Sequence, residues 1–173
     1  MYEDEINNSV EILEEEEKIT SFSLKNDKYL WHKIYEREIE EGIEKHLYSF
    51  HESNKYSKGA KKSEIKSRFL VKMKQNVFDL AVNSFVEKGL IKQDGEFISL
   101  PYFQIQYDDE YKKSEKVVLN SLKEAKFDFI KQEDLVEKLN SQSAEEIISL
   151  MVDSKLLVKL NEGFITTSEL YDQ

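Results

Sequence analysis

The chain has 173 residues, with 35 acidic and 25 basic side chains and a formal net charge of −10. That charge argues against a protein that coats nucleic acid uniformly. Hydrophobic residues make up 39% of the chain, which is enough for one domain or two small ones. The absence of cysteine excludes disulfides and thiolate metal sites. No apolar run is long enough to span a membrane, and we expect a cytoplasmic protein.

The beginning of the chain predicts a helix followed by a two-stranded hairpin. Val10, Ile12 and Leu13 have the spacing of the apolar face of a helix. Runs of apolar and hydroxylated residues then predict two strands with a polar turn between them. The predicted strands are residues 19–23 and 29–31, and the predicted turn is Lys25-Asn26-Asp27.

The middle of the chain predicts three helices and then a hairpin. A long helix at about 33–51 and a shorter one at about 62–69 precede a third helix that ends at Gly89. The apolar face of the third helix is formed by Val77, Leu80, Ala81, Ser84 and Phe85. The pair Asp94-Gly95 separates two alternating runs, which predicts a two-residue β-hairpin.

The single proline, Pro101, marks a boundary, after which the same order of elements returns. Helices are predicted at about 110–125, 132–139 and 144–153, followed by a hairpin that turns at 161–163. Five residues of the first hairpin recur 67 positions later, and Leu80-Ala81 matches Ile147-Ile148 at the same offset. The recurring residues are Leu90, Ile91, Lys92, Phe97 and Ile98, which correspond to Leu157, Val158, Lys159, Phe164 and Ile165. A constant offset indicates two copies of one small module.

Three small helices and a β-hairpin, or wing, are the elements of a winged helix. The sequence therefore predicts a mainly α fold with small β-wings (α+β), built from tandem winged-helix domains. We expect winged-helix domains at 33–100 and 101–173, and we interpret residues 1–32 as the last helix and wing of a truncated winged helix. The chain would then be a piece of a longer protein. Two cores are expected, one around Leu80, Ala81, Phe85, Leu90 and Phe97, the other around Ile147, Ile148, Met151, Leu157 and Phe164.

Short motifs in the first complete module resemble a known family. Residues 51–59 read His-Glu-Ser-Asn-Lys-Tyr-Ser-Lys-Gly, and residues 64–68 read Glu-Ile-Lys-Ser-Arg. A glycine-ended helix, a Gly-Glu wing at 95–96 and a Leu-Pro-Tyr-Phe linker at 100–103 follow. This order resembles the C-terminal arm of the bacterial selenocysteine-specific elongation factors, the SelB family.

The sequence departs from the family pattern at two positions of these motifs. Lys55 stands in place of the usual proline, and Lys66 stands in place of the usual first arginine. Both departures leave the predicted fold unchanged, but they bear on any contact that the family makes through these residues.

The resemblance implies four winged helices appended to a GTPase that delivers selenocysteinyl-tRNA to recoded UGA codons. This chain would hold the end of the first winged helix and all of the second and third. It contains no Gly-x-x-x-x-Gly-Lys-Ser/Thr loop, so GTP and Mg would belong to the full-length protein. We expect no cofactor and no catalytic residue in this piece. Its partners would be the ribosome and the selenoprotein mRNA hairpin, which the family grips chiefly with the fourth module.

The histidines and the acidic run have structural interpretations. His32, His46 and His51 lack the spacing of a metal or catalytic site, so we interpret them as structural or surface residues and expect no metal. Four consecutive acids at 14–17 indicate a solvated helix end, with a cation site or a site for a basic protein as the alternative.

Basic residues are concentrated in one segment. Residues 53–76 carry eight lysines and arginines against Glu64 alone, and they cover the part of a helix-turn-helix that meets a phosphate backbone. The candidate RNA phosphate contacts are Lys58, Lys61, Lys62, Lys66 and Arg68. The alternative is a solvated lysine-rich face without a ligand. Phe78 and Phe85 have core spacing, which disfavours single-strand binding by base stacking.

The last module has the opposite charge. Residues 101–173 contain fifteen acids and nine lysines, and the third helix of the module carries Glu145, Glu146 and Asp153. Phosphate would be repelled there, so we interpret this module as a spacer or a protein-contact surface.

Three functions are compatible with these patterns. The preferred one is a non-enzymatic, monomeric arm that links the GTPase of a selenocysteine elongation factor to its hairpin-binding tip, with weak RNA phosphate contact and no membrane contact. The alternatives are a winged-helix DNA-binding regulator and a protein-binding tandem winged helix of the type found in chromosome-segregation complexes.

Overall fold

The computed structural model describes residues 2–24, 27–125 and 129–171, and the chain divides into two compact units. Unit 1 consists of Met1–Glu52 and Lys58–Phe103, and unit 2 consists of Ser53–Ser57 and Gln104–Gln173. Residues 1–32 therefore share a unit with the first complete module. Their interpretation as the end of a further winged helix stays a prediction, as do the three domain boundaries.

Unit 1 begins with the predicted helix and hairpin. Helix α1 covers Tyr2–Glu15, and strands β1 (Ile19–Leu24) and β2 (Asp27–His32) pair antiparallel. On α1, Val10 is buried, whereas Ile12 is exposed, so the buried face is narrower than predicted. Of the predicted turn, Lys25 and Asn26 lie outside the described residues.

The rest of unit 1 has the element order of a winged helix. The elements are α2 (Lys33–Ser53), β3 (Ala60–Lys61), α3 (Lys62–Phe69), α4 (Gln75–Glu87), β4 (Lys92–Asp94) and β5 (Phe97–Ser99). The antiparallel sheet has the order β3-β5-β4. Helix α4 ends as predicted, because Gly89 adopts φ +70° and the Leu90 amide donates to the Phe85 carbonyl at 3.0 Å. The two-residue strand β3 was not predicted, since it is too short to show alternation.

Unit 2 repeats this order. Its elements are α5 (Asp109–Ala125), β6 (Ile130–Lys131), α6 (Gln132–Leu139), α7 (Ala144–Asp153), β7 (Leu157–Lys159), a 3-10 turn (Asn161–Gly163), β8 (Phe164–Thr167) and α8 (Ser168–Tyr171). The sheet order is β6-β8-β7, again antiparallel. The predicted α+β fold of tandem winged helices is thus confirmed. None of the described helices is long and apolar enough to cross a membrane.

The offset between the two modules is not constant, which corrects the predicted value of 67. Buried residues at matching places are 70 apart on the second helices, 66 apart on the third helices and 67 apart on the last strands. These pairs are Ile65 with Leu135, Ala81 with Ile147, and Ile98 with Ile165. The offset changes from 66 to 67 inside the wing, because the wing of unit 2 is one residue longer. Five residues lie between the paired Lys159 and Ile165, whereas four lie between the paired Gln93 and Ile98.

An offset of 66 in place of 67 explains two core residues that were predicted incorrectly. Ile147 corresponds to Ala81 instead of Leu80, and Leu157 corresponds to Ile91 instead of Leu90, which is half-buried. Leu80 is half-buried, and the buried face of α4 is Val77, Phe78, Ala81, Val82 and Phe85. On the last strands, Ile98 and Ile165 are fully buried, whereas Phe97 and Phe164 are half-buried. Phe97 and Phe164 keep the offset of 67, so the shift does not account for them. Neighbouring strand residues face opposite sides, and the residue after each phenylalanine is the one that faces the core.

The first wing turns one residue later than predicted. Asp94 pairs with Phe97, so the two turn residues are Gly95 and Glu96 instead of Asp94 and Gly95. Gly95 adopts φ +60°, the sign that the first central residue of a type II′ turn requires.

The two predicted cores exist as separate clusters. The core of unit 1 includes the buried Phe78, Phe85 and Ile98 together with Trp31. The core of unit 2 includes Ile147, Ile148, Met151, Leu157 and Ile165. The predicted Phe85, Ala81, Ile147, Ile148, Met151 and Leu157 are all buried members.

Residues Ser53–Ser57, at the end of α2 and in the loop that follows, belong to unit 2, although the elements on both sides belong to unit 1. Tyr56 is 1% exposed within the core of unit 2, and its hydroxyl donates to Asp108 at 2.8 Å. Lys55 Nζ lies 2.9 Å from Asp108 and 3.0 Å from Glu110. Burial is the main cause that raises the pKa of Tyr56 to about 12. This segment is therefore a structural part of the second winged helix.

We predict that Tyr56→Ala destabilises unit 2 by about 3–5 kcal/mol, as expected for a fully buried aromatic ring. Amide hydrogen exchange of the full chain should show loss of protection in α5, α6 and α7. Tyr48→Ala is the control, because Tyr48 is 54% exposed in unit 1. Retained protection in unit 2, or a loss restricted to unit 1, would contradict the assignment of this segment.

Candidate nucleic-acid interface

Helix α3 and the strand before it position the predicted phosphate contacts. Ile65 is fully buried and anchors α3 on the core, which leaves the polar side of the helix toward solvent. Lys61 and Arg68 are exposed, and Lys58, Lys62 and Lys66 are half-buried. All five stand within eleven positions of the chain on β3, α3 and the residues just before them.

Lys62 has an anionic partner in unit 1. Its Nζ lies 2.8 Å from Asp79 Oδ1 on α4 and 5.8 Å from the centroid of the Phe78 ring. A phosphate would have to compete with Asp79 for this ammonium. Within the part of the chain that the structure describes, Lys61, Lys66 and Arg68 form no ion pair. Their positive charges are available to a ligand.

The basic residues of segment 53–76 are not all available to one ligand. Lys55 pairs with two carboxylates of unit 2, and its hydrogen bond to Asp108 is the main cause that raises its pKa. Lys72 and Lys74 are exposed in the turn between α3 and α4. The charge that remains available therefore lies on α3 and on the turn that follows it.

Helix α4, which in helix-turn-helix folds faces the nucleic acid, carries amides instead of cations. Gln75, Asn76 and Asn83 are exposed, and the helix contains no lysine or arginine. Amide side chains can hydrogen-bond base edges, whereas lysines bind phosphate without reading sequence. These amides were not among the contacts predicted from the sequence, which were chosen by positive charge alone.

The family-like motifs at 51–59 and 100–103 contact each other. His51 Nε2 accepts the Leu100 amide at 3.2 Å, and the His51 ring stacks on Phe103 with centroids 3.6 Å apart. Burial, followed by the charge of Lys92, lowers the pKa of His51 to about 4. His51 is thus a neutral residue that fixes the linker after the wing.

Gly59, the last residue of the first motif, is required by a close backbone approach. It adopts φ +152°, and a Cβ placed there would lie 2.3 Å from the Ile98 carbonyl oxygen. A side chain would therefore separate β3 from β5, since Ala60 pairs directly with Ile98. The motif glycine has a structural role.

The other histidines also have local partners. His46 Nε2 lies 3.0 Å from Glu64 Oε1, and His32 Nδ1 accepts the Ile34 amide at 3.2 Å. Among the described residues, no group of three histidines and acids could hold a metal ion. The structural or surface roles of the histidines stay a prediction.

The acidic run at residues 14–17, which begins in the last turn of α1, is partly neutralised by neighbouring residues. Glu14 accepts a hydrogen bond from Ser21, the main cause that lowers its pKa, and lies 3.5 Å from Lys28. Glu16 lies 2.7 Å from Lys18. These contacts fit the predicted helix end better than a cation site.

Helix α7 of unit 2 corresponds to α4 of unit 1. Its first turn carries acidic side chains, whereas the first turn of α4 carries amides. Glu145 is exposed, and Glu146 is half-buried with Oε2 lacking a hydrogen-bond partner among the described residues. Burial raises the pKa of Glu146. This surface would repel phosphate, in agreement with a spacer or protein-contact module.

We predict that His51→Gln removes a pH dependence of stability. The folded pKa of His51 is about 4 and the unfolded value is about 6.5, so protonation favours the unfolded chain. The native chain should lose up to roughly 3 kcal/mol of stability as the pH falls from about 6.5 to 4, given 1.36 kcal/mol for each pKa unit.

Glutamine can still accept the Leu100 amide but does not titrate in this range. Urea unfolding followed by Trp31 fluorescence measures the effect at each pH. His32→Gln, at an exposed position, is the control. Equal pH profiles for the native chain and His51→Gln would show that His51 is not the group responsible.

Comparison with known proteins gives one family match. Residues 45–100 match the family model described as elongation factor SelB, winged helix. A comparison with curated proteins found no match. Among solved structures, the crystal structure of a bacterial selenocysteine-specific elongation factor EF-Sec is similar, with 16% identity and a TM-score of 0.45. The alignment covers 88% of this chain and 23% of that chain, so this chain spans less than a quarter of it. The resemblance to SelB is therefore confirmed for the winged helix at residues 45–100.

Proposed function

We propose that the chain is part of the winged-helix arm of a cytoplasmic, SelB-type selenocysteine elongation factor. The match of residues 45–100 to the SelB winged-helix family carries this proposal. The match includes His51 and Gly59, whose contacts hold the linker and the first strand of the wing sheet. A GTPase and a tip that reads the mRNA hairpin would be supplied by the rest of the protein.

The arm would act by tethering. Each unit has its own core and is a small independent module, as a spacer requires. A chain of such modules holds the hairpin-binding tip and the GTPase in one molecule. The hairpin and the tRNA then meet at a high effective concentration, because the second encounter becomes intramolecular. The units need no catalytic group for this task.

RNA contact within the arm would be weak and made through phosphates. Lys61, Lys66 and Arg68 form no ion pair among the described residues, whereas Lys62 is paired with Asp79. We assign the contact to these three, with Lys58 and Lys62 as secondary members. Such contacts position RNA without reading its sequence.

A chimeric factor tests the proposed function directly. The chain replaces the matching region of a SelB-type factor, and hairpin-dependent readthrough of UGA is measured with a reporter. We expect readthrough to be retained. Ile98→Asp in the chimera is the inactive control, since it places a charge in the core of unit 1. A folded, well-expressed chimera without readthrough would contradict the proposal.

We predict that the chain alone binds the selenoprotein mRNA hairpin weakly, with a Kd above about 10 µM. The reason is that the main hairpin reader would lie in another module, and α7 of unit 2 presents acid. Fluorescence anisotropy of a labelled hairpin at physiological salt gives the Kd. Nanomolar binding that is lost when the hairpin loop is mutated would contradict the placement of the main hairpin reader in another module.

We predict that binding to an unrelated RNA duplex depends on salt with a log–log slope of about −2.7 if three phosphates are contacted. The double variant Lys66→Glu, Arg68→Glu should flatten the slope to about −0.9 and weaken binding to all duplexes alike. Lys112→Glu, Lys113→Glu on α5 is the matched control, because both lysines are exposed. Binding that is indifferent to salt and to the α3 double variant would show a solvated face without a ligand.

A further inference from the structure

A cavity of about 540 Å³ lies in unit 1, between the β1–β2 hairpin, the first turn of α2 and the turn that joins α3 to α4. We call it the hairpin cavity. Its lining is mainly apolar and includes Phe22, Leu30, Trp31, Tyr35, Val71 and Met73. The proposed spacer role makes no use of it.

Large apolar side chains are exposed at the hairpin cavity. Leu30 is 51% exposed, Tyr35 is 49% exposed and Val71 is 69% exposed. Single exposed apolar residues are ordinary, but a group of them around one concave surface marks a binding site. Covering these side chains would stabilise a complex by removing apolar surface from water.

Trp31 forms part of the cavity wall. Its side chain is 6% exposed, and its Nε1–H is buried with no acceptor among the described residues. Because this nitrogen has almost no accessible surface, an occupant would be held by the apolar wall and the charged edge of the cavity and not by the indole N–H.

The edge of the cavity is positively charged. Lys72 and Lys74 line it and are exposed, and the turn between α3 and α4 carries no acidic residue. This local charge stands out in a chain whose net charge is −10. Charge complementarity therefore favours an acidic occupant.

The geometry of the aromatic rings favours a peptide over a nucleobase. The Trp31 ring already contacts Phe22, Tyr35 and Phe85, with centroids 5.7 to 6.0 Å apart and tilted or edge-on planes. A base would need a free, flat aromatic face for stacking. An apolar side chain needs only a concave apolar surface, which is what the cavity provides.

We propose that the hairpin cavity binds an acidic peptide segment of a partner protein. One bulky apolar side chain of the peptide enters the cavity, and its neighbouring carboxylates pair with Lys72 and Lys74. The winged helix of unit 1 would then be a protein-docking module as well as a spacer, an activity separate from the RNA contact of α3.

The experiment uses the full chain and a labelled glutamate-rich peptide of about 12 residues with a central Leu-Phe pair. Trp31 is the single tryptophan, so its emission reports directly on the cavity. We expect a change in emission and a Kd on the order of 10–100 µM. The same peptide with Ser-Ser at its centre should bind at least about tenfold more weakly, as expected for loss of a buried apolar anchor.

Two variants of the chain test the two halves of the site. Val71→Ser removes an exposed apolar contact, and Lys72→Glu, Lys74→Glu reverses the charged edge; each should weaken binding about tenfold or more. Lys112→Glu, Lys113→Glu in unit 2 should leave the Kd unchanged. Circular dichroism confirms that the variants are folded.

Three results would overturn the proposal. The first is no change in Trp31 emission with the peptide at about 1 mM, since a specific site should be filled at that concentration. The second is equal binding by the cavity variants and the unit 2 control. The third is displacement of the peptide by oligouridylate in a manner that Val71→Ser abolishes, which would assign the cavity to nucleic acid.

Discussion

The close approach of Gly59 to the Ile98 carbonyl oxygen is the constraint on which the winged helix of unit 1 depends. It lets β3 pair with β5 immediately after the loop that leaves α2. The Lys62 amide then donates to the Glu96 carbonyl at 2.7 Å, which fixes where α3 begins. The position of Lys66 and Arg68 follows, because both stand on the last turns of this short helix. A backbone contact thus determines where the cationic surface lies.

Residues 51–59 include structural residues of both units. His51, at the end of α2, holds the linker after the wing through the Leu100 amide, while Tyr56 is buried in unit 2. The residues that carry the resemblance to SelB are therefore explained by folding. Lys55, which stands where the family has proline, is held by Asp108 and Glu110 and takes no part in the free cationic surface. In the proposed function, any contact with RNA would be made by α3.

Local patterns predicted the helices well, because helical periodicity and end signals are properties of neighbouring residues. Helix α3 at Lys62–Phe69 and helix α6 at Gln132–Leu139 have the predicted bounds. On the last strands the cores were predicted one residue too early, at Phe97 and Phe164 instead of Ile98 and Ile165. A strand of three or four residues does not show from its sequence alone which face is buried. The burial of Tyr56 and the pairing of Lys62 with Asp79 were not predictable, because both depend on contacts with residues distant along the chain.

The most direct test of the structural role of the motif is the stability of Gly59→Ala, with Gly95→Ala as the control. Both glycines have positive φ, but a Cβ at Gly95 meets no atom within 4 Å. Urea unfolding followed by Trp31 fluorescence reports on unit 1, whose core contains that residue. We expect Gly95→Ala to cost about 1–2 kcal/mol, the strain of a left-handed alanine, and Gly59→Ala to cost far more or to abolish the native emission. Equal unfolding midpoints for the two variants would contradict the account.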